Sequence, residues 1–190
     1  MGWVLFAFLV LAVAIPYVWY AMIVVRRNRV TEALASVDVQ LQQRHDLIPN
    51  VLTIARRFME HERGLLEDIT ELRNKASAQA GKREFAAAGE RFATEQRLEA
   101  DMGRLFALAE NYPQLKSDGP MITAQRTYAE VETNIAAARR FYNSAVGDLR
   151  NITEIFPGHL LMGAAGVTLI PPFFEADEPA RVPIEASQHL

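Results

Sequence analysis

Residues 2–37 read GWVLFAFLVLAVAIPYVWYAMIVVRRNRVTEALASV, and the change of character inside this stretch decides the fold. From Gly2 to Val25 no side chain is charged. A helix of that length, rising about 1.5 Å per residue, crosses a hydrocarbon core roughly 30 Å thick with some tilt. Trp3 at one end, and Tyr17, Trp19 and Tyr20 toward the other, suit the two membrane–water interfaces, where amphipathic rings settle. Pro16 is a candidate kink. Arg26, Arg27 and Arg29 follow at once, and no basic side chain precedes the apolar run. That asymmetry predicts a single-pass anchor in the inner membrane, with the N-terminus outside and the body cytoplasmic. A cleaved signal peptide is the competing reading, with Ala12-Val13-Ala14 as its small-x-small site. The missing basic n-region and the apolar sequence beyond that site speak against it.

Past the arginines the pattern becomes a heptad. Val30, Val37, Arg44, Val51, Phe58, Leu65 and Leu72 recur every seven residues, and Leu34, Leu41, Ile48, Ala55, Glu62, Ile69 and Ala76 run four behind. Twelve of the fourteen are apolar, the seam of a helix packed at a shallow crossing angle. The register survives Pro49, which favours a kinked but continuous helix. The other reading has Asp46 capping a new helix with the proline in its first turn. Arg44 and Glu62 interrupt the seam. About 27 Å apart along one helix, they cannot pair in it, so each needs a partner on a neighbouring helix or a place at the wet edge. A snorkelling or rim charge is the preferred reading, and a buried ion pair the alternative.

Outward from there, Gly81 in SAQAGKREFAAA (77–88) predicts a loop near 78–83. A third helix follows through Phe85, Phe92, Leu98, Met102, Leu105, Phe106 and Ala109, closing at Tyr112-Pro113, and LKSDGP (115–120) is rich in turn signals. The last helix carries two apolar series: Met121, Tyr128, Ile135, Tyr142, Leu149 and Phe156, with Ala124, Val131, Ala138, Ala145 and Ile152 as companions. Pro157-Gly158 ends it. Long helices joined by short connections pack as an up-and-down antiparallel bundle. The expected architecture is therefore all-α: an anchor at 1–25, a bundle at 26–158, and a tail at 159–190 that is first apolar, then polar.

Bulk composition narrows the function. A net charge of −3 offers no global basic field for nucleic acid. With no cysteine there are neither disulfides nor thiolate metal sites. His61-Glu62 begins like the HExxH zinc motif, but Leu65 stands where the second histidine is needed. His45 beside Asp46 reads as a hydrogen bonder near the kink, since no nucleophile accompanies it. His159 and His189 are isolated, and Glu60, Glu62, Glu67 and Asp68 fall on a solvated helical face. No cofactor, metal or small-molecule substrate is indicated, and the chain is expected not to be an enzyme.

Several segments resemble one family. SVDVQLQQRHDLIPN (36–50), RLFALAENYPQLK (104–116), NIAAARRFYNSAV (134–146), Phe156-Pro157-Gly158 and Phe173-Phe174-Glu175 are similar, in order, to the signature segments of the LemA family. His61-Glu62 also sits where that family often has the pair. The resemblance spans nearly all of residues 26–178, and DLIPN and ALAENYP are its most specific elements. It implies a membrane-anchored bundle of long helices with a role in envelope and membrane organisation. One magnetosome-associated branch is linked to building internal membranes. Two departures stand out. Leu34 occupies a position where members frequently have tryptophan, and HLLMGAAGVTLIPPFF (159–174) replaces a tract that is often polar and basic.

That uncharged tract is too short to span a bilayer in the ordinary way. It is expected to lie on the membrane surface, fold back on the bundle or enter a neighbouring subunit. Leu160, Leu161, Met162, Leu169, Ile170, Phe173 and Phe174 are therefore candidate oligomer or membrane contacts. Asp38, Asn50, Asn111, Asn134 and Asn143, short polar side chains at or near the signature segments, are read as register-fixing hydrogen bonders, with a shared ligand groove as the alternative. With Arg44, Asp46 and Glu62 they make up the candidate polar register or partner-binding set. The leading functional expectation is a non-enzymatic scaffold that associates with the bilayer and with copies of itself. The alternative is an adaptor that engages a membrane protease or envelope sensor through residues 104–118.

Overall fold

The computed structural model describes residues 1–81 and 87–175. Helix α1, Gly2–Ala55, is one unbroken helix through the apolar run, the arginines and the first heptads. It is followed by a 3-10 turn, Glu60–Glu62, then α2, Arg63–Gln79, α3, Ala88–Ala109, the single-turn α4, Pro113–Lys116, α5, Gly119–Glu154, and the single-turn α6, Gly158–Leu161. No strand occurs among the described residues. Phe85, expected in the third helix, lies outside them.

Helix α1 continues through Pro49, so the chain is not reversed there. A proline has no N–H for the carbonyl four residues back. Here that carbonyl belongs to His45, and Arg73 Nε of α2 donates to it at 3.1 Å.

The reversal comes later than the heptads suggest. They run through Ala76 as if along one helix, but α1 stops at Ala55 and the chain turns back over Arg56–Glu62. Met59 is buried under this turn and Phe58 half-buried. The connection is seven residues long, one full heptad, so the apolar phase crosses it intact while the direction inverts. Periodicity records which face is buried, not which way the chain runs.

Side-chain pairs fix the directions of the helices. Arg56 reaches Thr70 and His45 reaches Ser77, so α2 runs antiparallel to α1. Asp38 meets Arg91 and Arg44 meets Glu95, so α3 runs parallel to α1. Arg26 meets Asp148 and Arg44 meets Glu132, so α5 is antiparallel to α1. The connection into α5 is built as its sequence requires. Pro113 opens α4, and the Asp118 carboxylate accepts the Met121 N–H at 3.0 Å as N-cap of α5.

The core falls into two apolar halves. One gathers Ile48–Ala55, Met59, α2, the second half of α3, Met121, Ala124 and Tyr128. The other lies nearer the anchor and gathers Ile23–Leu41, Ala88, Phe92, Val131–Leu149, Ala165, Val167 and Phe174. Beyond the start of α3 the C-terminal segment completes the packing. Gly158 fits against α5 so closely that a Cβ there would stand 1.9 Å from the Ile152 carbonyl oxygen. Gly166, at φ +74°, turns the chain over Arg27, whose Nη1 donates to Ala165 O at 3.0 Å. Of the apolar series on α5 only Phe156 departs strongly, standing 70% exposed just past the helix end.

Candidate functional site

Between the two apolar halves lies a buried layer of charge. Arg44 projects from α1 into the middle of the bundle, 1% exposed. It pairs with Glu95 of α3, also 1% exposed, and with Glu132 of α5 at 3.1 Å. The neighbouring His45 is equally buried. Its Nε2 lies 3.0 Å from a Glu95 carboxylate oxygen and its Nδ1 3.3 Å from Ser77 Oγ of α2. One arginine and one histidine, adjacent in sequence, thus tie α1 to the other three long helices.

The electrostatics follow from burial and pairing. Burial alone would push the Glu95 carboxyl up, but the His45 hydrogen bond and the Arg44 charge outweigh it and hold the group below its ordinary range. Burial works against the Arg44 charge too, and Glu132 and Glu95 more than offset it, so its pKa is raised. The Tyr128 hydroxyl, in the same layer, is pushed up chiefly by burial. Arg44 is therefore no rim or snorkelling charge, as its place in the heptad suggested. Its partners lie 51 and 88 residues away in sequence, and no local pattern could have named them. Glu62 does behave as expected: half-buried at the end of the 3-10 turn, at the wet edge.

A second set of polar contacts straps the C-terminal segment down. Asn143 of α5 donates through Nδ2 to Phe174 O at 2.9 Å and accepts from Phe174 N at 2.8 Å. The Phe174 ring, 2% exposed, stacks on Phe92 at a centroid distance of 4.1 Å, and Arg139 lies over it at 4.3 Å. Tyr142 donates to Pro172 O at 3.0 Å. Burial raises the Tyr142 pKa, though nearby Arg91 opposes it. Arg91 is in turn paired with Asp38.

The predicted polar set thus divides. Asp38, Arg44 and Asn143 are interhelical or strap contacts, whereas Asn50, Asn111 and Asn134 are exposed on separate surfaces and form no common groove. Asp46 is exposed and accepts from Gln42 one turn before it at 2.8 Å, within an uninterrupted helix. His45 is hydrogen-bonded, as expected of it, but its partners are Glu95 and Ser77 on neighbouring helices, and Glu95 is the central residue absent from the predicted set. For Glu95, the signal was a carboxylate three residues beyond Phe92 on the apolar face of α3.

The apolar candidates divide as well. Phe174 is buried, and Leu161, Met162, Ile170 and Phe173 pack half-buried on the bundle. These five pack within their own chain, where Asn143, Phe92 and Arg150 hold the segment that carries them. Leu160 and Leu169 remain 66% and 49% exposed. Trp3, Tyr17 and Tyr20 are exposed along α1 and Trp19 is half-buried. Arg26 bonds Asp148, Arg27 bonds the C-terminal segment, and Arg29 lies over the Phe141 ring.

Chemically, the buried layer is closed on itself. Its one fully buried carboxylate carries both Arg44 and His45, and the far side of the His45 ring is taken by the Ser77 hydroxyl. Among the described residues no three histidine or acidic side chains lie close enough to hold a metal ion. His61 and His159 are exposed and apart, and His189 lies outside the described residues.

Residues 33–186 match the LemA family. The chain belongs to the LemA family. No curated protein matches it. The segments that resemble LemA signatures now have physical roles: SVDVQLQQRHDLIPN supplies Asp38, Arg44, His45 and Pro49, while NIAAARRFYNSAV and FFE supply the two sides of the Asn143–Phe174 clasp. In this LemA-family chain those segments build the interior. At the N-terminus α1 is apolar and exposed over a length able to cross a membrane, consistent with a membrane anchor.

Proposed function

We propose that the chain is a non-enzymatic, membrane-anchored scaffold, a stiff post that holds its far end at a set distance from the bilayer. The observation that carries this reading is the continuity of α1. The exposed apolar run passes into the buried seam with no linker, and Ile23 and Val30 are already core residues. From Arg26 to Ala55 the post extends about 45 Å at the usual helical rise. The arginines at its base favour an inner-membrane anchor with a cytoplasmic body.

Self-association in this reading runs through the anchor and the outer helix surfaces, since both heptad seams are filled within one chain. Copies held in one membrane share an orientation, which raises the effective concentration of weak lateral contacts. Sizing of the full chain in nanodiscs or detergent tests this: a defined oligomer supports the scaffold, and a strict monomer at high loading sinks it. The adaptor reading is favoured by one feature. The connection carrying Asn111, Pro113, Lys116 and Gly119 is exposed at the end of the bundle opposite the anchor. Crosslinking from Asn111→Cys or Lys116→Cys separates the two, because adducts only to a different membrane protein favour the adaptor and adducts only to copies favour the scaffold.

A further inference from the structure

We propose that Ile155, Phe156 and Leu160 form an apolar foot that enters the lipid headgroup region beside the anchor, so that the bundle stands on the bilayer instead of swinging from it. This rests on the reading that α1 spans the membrane.

The levels are set by one pair. Arg26 of α1 and Asp148 of α5 meet at 2.6 Å, and the two helices are antiparallel. Helix α5 continues six residues past Asp148 to Glu154, about 9 Å further toward the N-terminus of α1. Its end is therefore level with Tyr20, and Ile155 and Phe156 are level with Trp19. Helix α6 then doubles back, and Arg27 holds the segment after it through Ala165. Leu160 consequently lies between those two levels.

At that height the bundle shows water the most exposed of its large apolar side chains outside α1, among the described residues. Ile155 is 56% exposed, Phe156 70% and Leu160 66%, although Leu149, Ala165 and Val167 close by are buried. A patch of this kind at the rim of an apolar span needs a cover. The surface that continues from it is the exposed apolar face of α1, so the cover is lipid. Glu154 and His159 are exposed at the same level, which keeps the foot among the headgroups and out of the hydrocarbon.

The boundary of the hydrocarbon then falls near Trp19 and Tyr20, not at Val25. Gly2 to Trp19 still extends about 27 Å as a helix, enough for a core roughly 30 Å thick. Arg26 and Arg27, about 9 to 12 Å deeper into the aqueous side, hold the foot to α1 through Asp148 and Ala165. Three apolar side chains at an interface suit reversible seating more than insertion.

The chain has no cysteine, so single cysteines carrying an environment-sensitive fluorophore report unique positions. The full-length variants Phe156→Cys, Leu160→Cys, Phe8→Cys and Ser117→Cys are reconstituted in vesicles of phosphatidylcholine and phosphatidylglycerol. Each is quenched in turn by aqueous iodide and by a lipid with a nitroxide just below the headgroup. Labels at 156 and 160 are expected to be quenched by the nitroxide lipid and several-fold less by iodide than the label at 117. If 156 and 160 match 117 while 8 is quenched only by lipid, the anchor stands and the foot is wrong. Shielding of 156 and 160 from both quenchers means that protein covers them, which also overturns the foot. No lipid quenching at 8 removes the spanning reading and the foot with it.

Discussion

Arg73 of α2 donates through Nε to the main-chain carbonyl of His45, at 3.1 Å, and that is the carbonyl that Pro49 leaves without its helical partner. A proline inside a long helix normally costs a hydrogen bond and a steric clash. Here the lost bond is replaced from the next helix, so α1 crosses the position intact and α2 is fixed along it.

The contact makes Arg73 and Pro49 energetically coupled. Arg73→Met is expected to destabilise the full chain by about 1 kcal/mol, the loss of a part-buried hydrogen bond. In a Pro49→Ala background the N–H restored at that position takes the carbonyl, and the same substitution is expected to cost markedly less. A double-mutant cycle from denaturant unfolding in detergent checks this. Equal effects of Arg73→Met in the two backgrounds would remove the proposed link.

Arg44 and Glu95 are predicted to show the asymmetry of a buried ion pair. Arg44→Met leaves the Glu95 carboxylate enclosed with only His45 beside it, at an expected cost of about 3 to 5 kcal/mol. Arg44→Met with Glu95→Gln is expected to recover a large share, because the uncompensated charge is gone. Thermal melts of the two variants in the same detergent decide the matter. A double variant no more stable than the single would contradict it.

Acid stability has a definite sign. Glu95 titrates below its ordinary value of 4.5 in the folded chain because His45 and Arg44 favour the carboxylate over the opposing effect of burial. The unfolded chain therefore binds the proton more readily. The stabilisation is complete above the ordinary carboxylate value and is lost as pH falls through it toward the depressed folded value. Glu95→Gln should flatten that acid limb while lowering stability at neutral pH. Unfolding midpoints across the acid range read this directly, and an unchanged slope would count against it.

The C-terminal strap is predicted to come loose without unfolding the bundle. Asn143→Ala removes both hydrogen bonds to the Phe174 backbone, about 2 kcal/mol at roughly 1 kcal/mol each. Amide exchange at Phe174 should accelerate by about ten- to a hundredfold, with amides of α1 and α2 unchanged. Uniform acceleration across the chain would mean that the clasp holds the whole bundle.

Much of this architecture was readable along the chain. The uncharged run before Arg26, the seams of α1 and α5, the Asp118 cap and the proline-opened turn at 113 are local signals, each tied to one helix and its immediate neighbours. Two expectations failed for one shared reason. The seven-residue turn after Ala55 was invisible because it keeps the heptad phase, and Arg44 passed for a rim charge because Glu95 and Glu132 are remote in sequence. Asn143 could be singled out as polar and out of place, but not as half of a clasp.

The sequence by itself determined that the chain is helical, that it begins with a segment suited to a bilayer, and which faces of its helices avoid water. Hydrophobic period, charge and end signals act over a turn or two of chain, so they are written locally. Only the tertiary structure decided where α1 reverses, that the charged break in its seam is neutralised from α3 and α5, and that the apolar tail returns to the bundle. It alone brought Ile155 and Phe156 level with Trp19. Those are relations between distant residues, set by how antiparallel helices align when charge, cavity and close approach must be satisfied together.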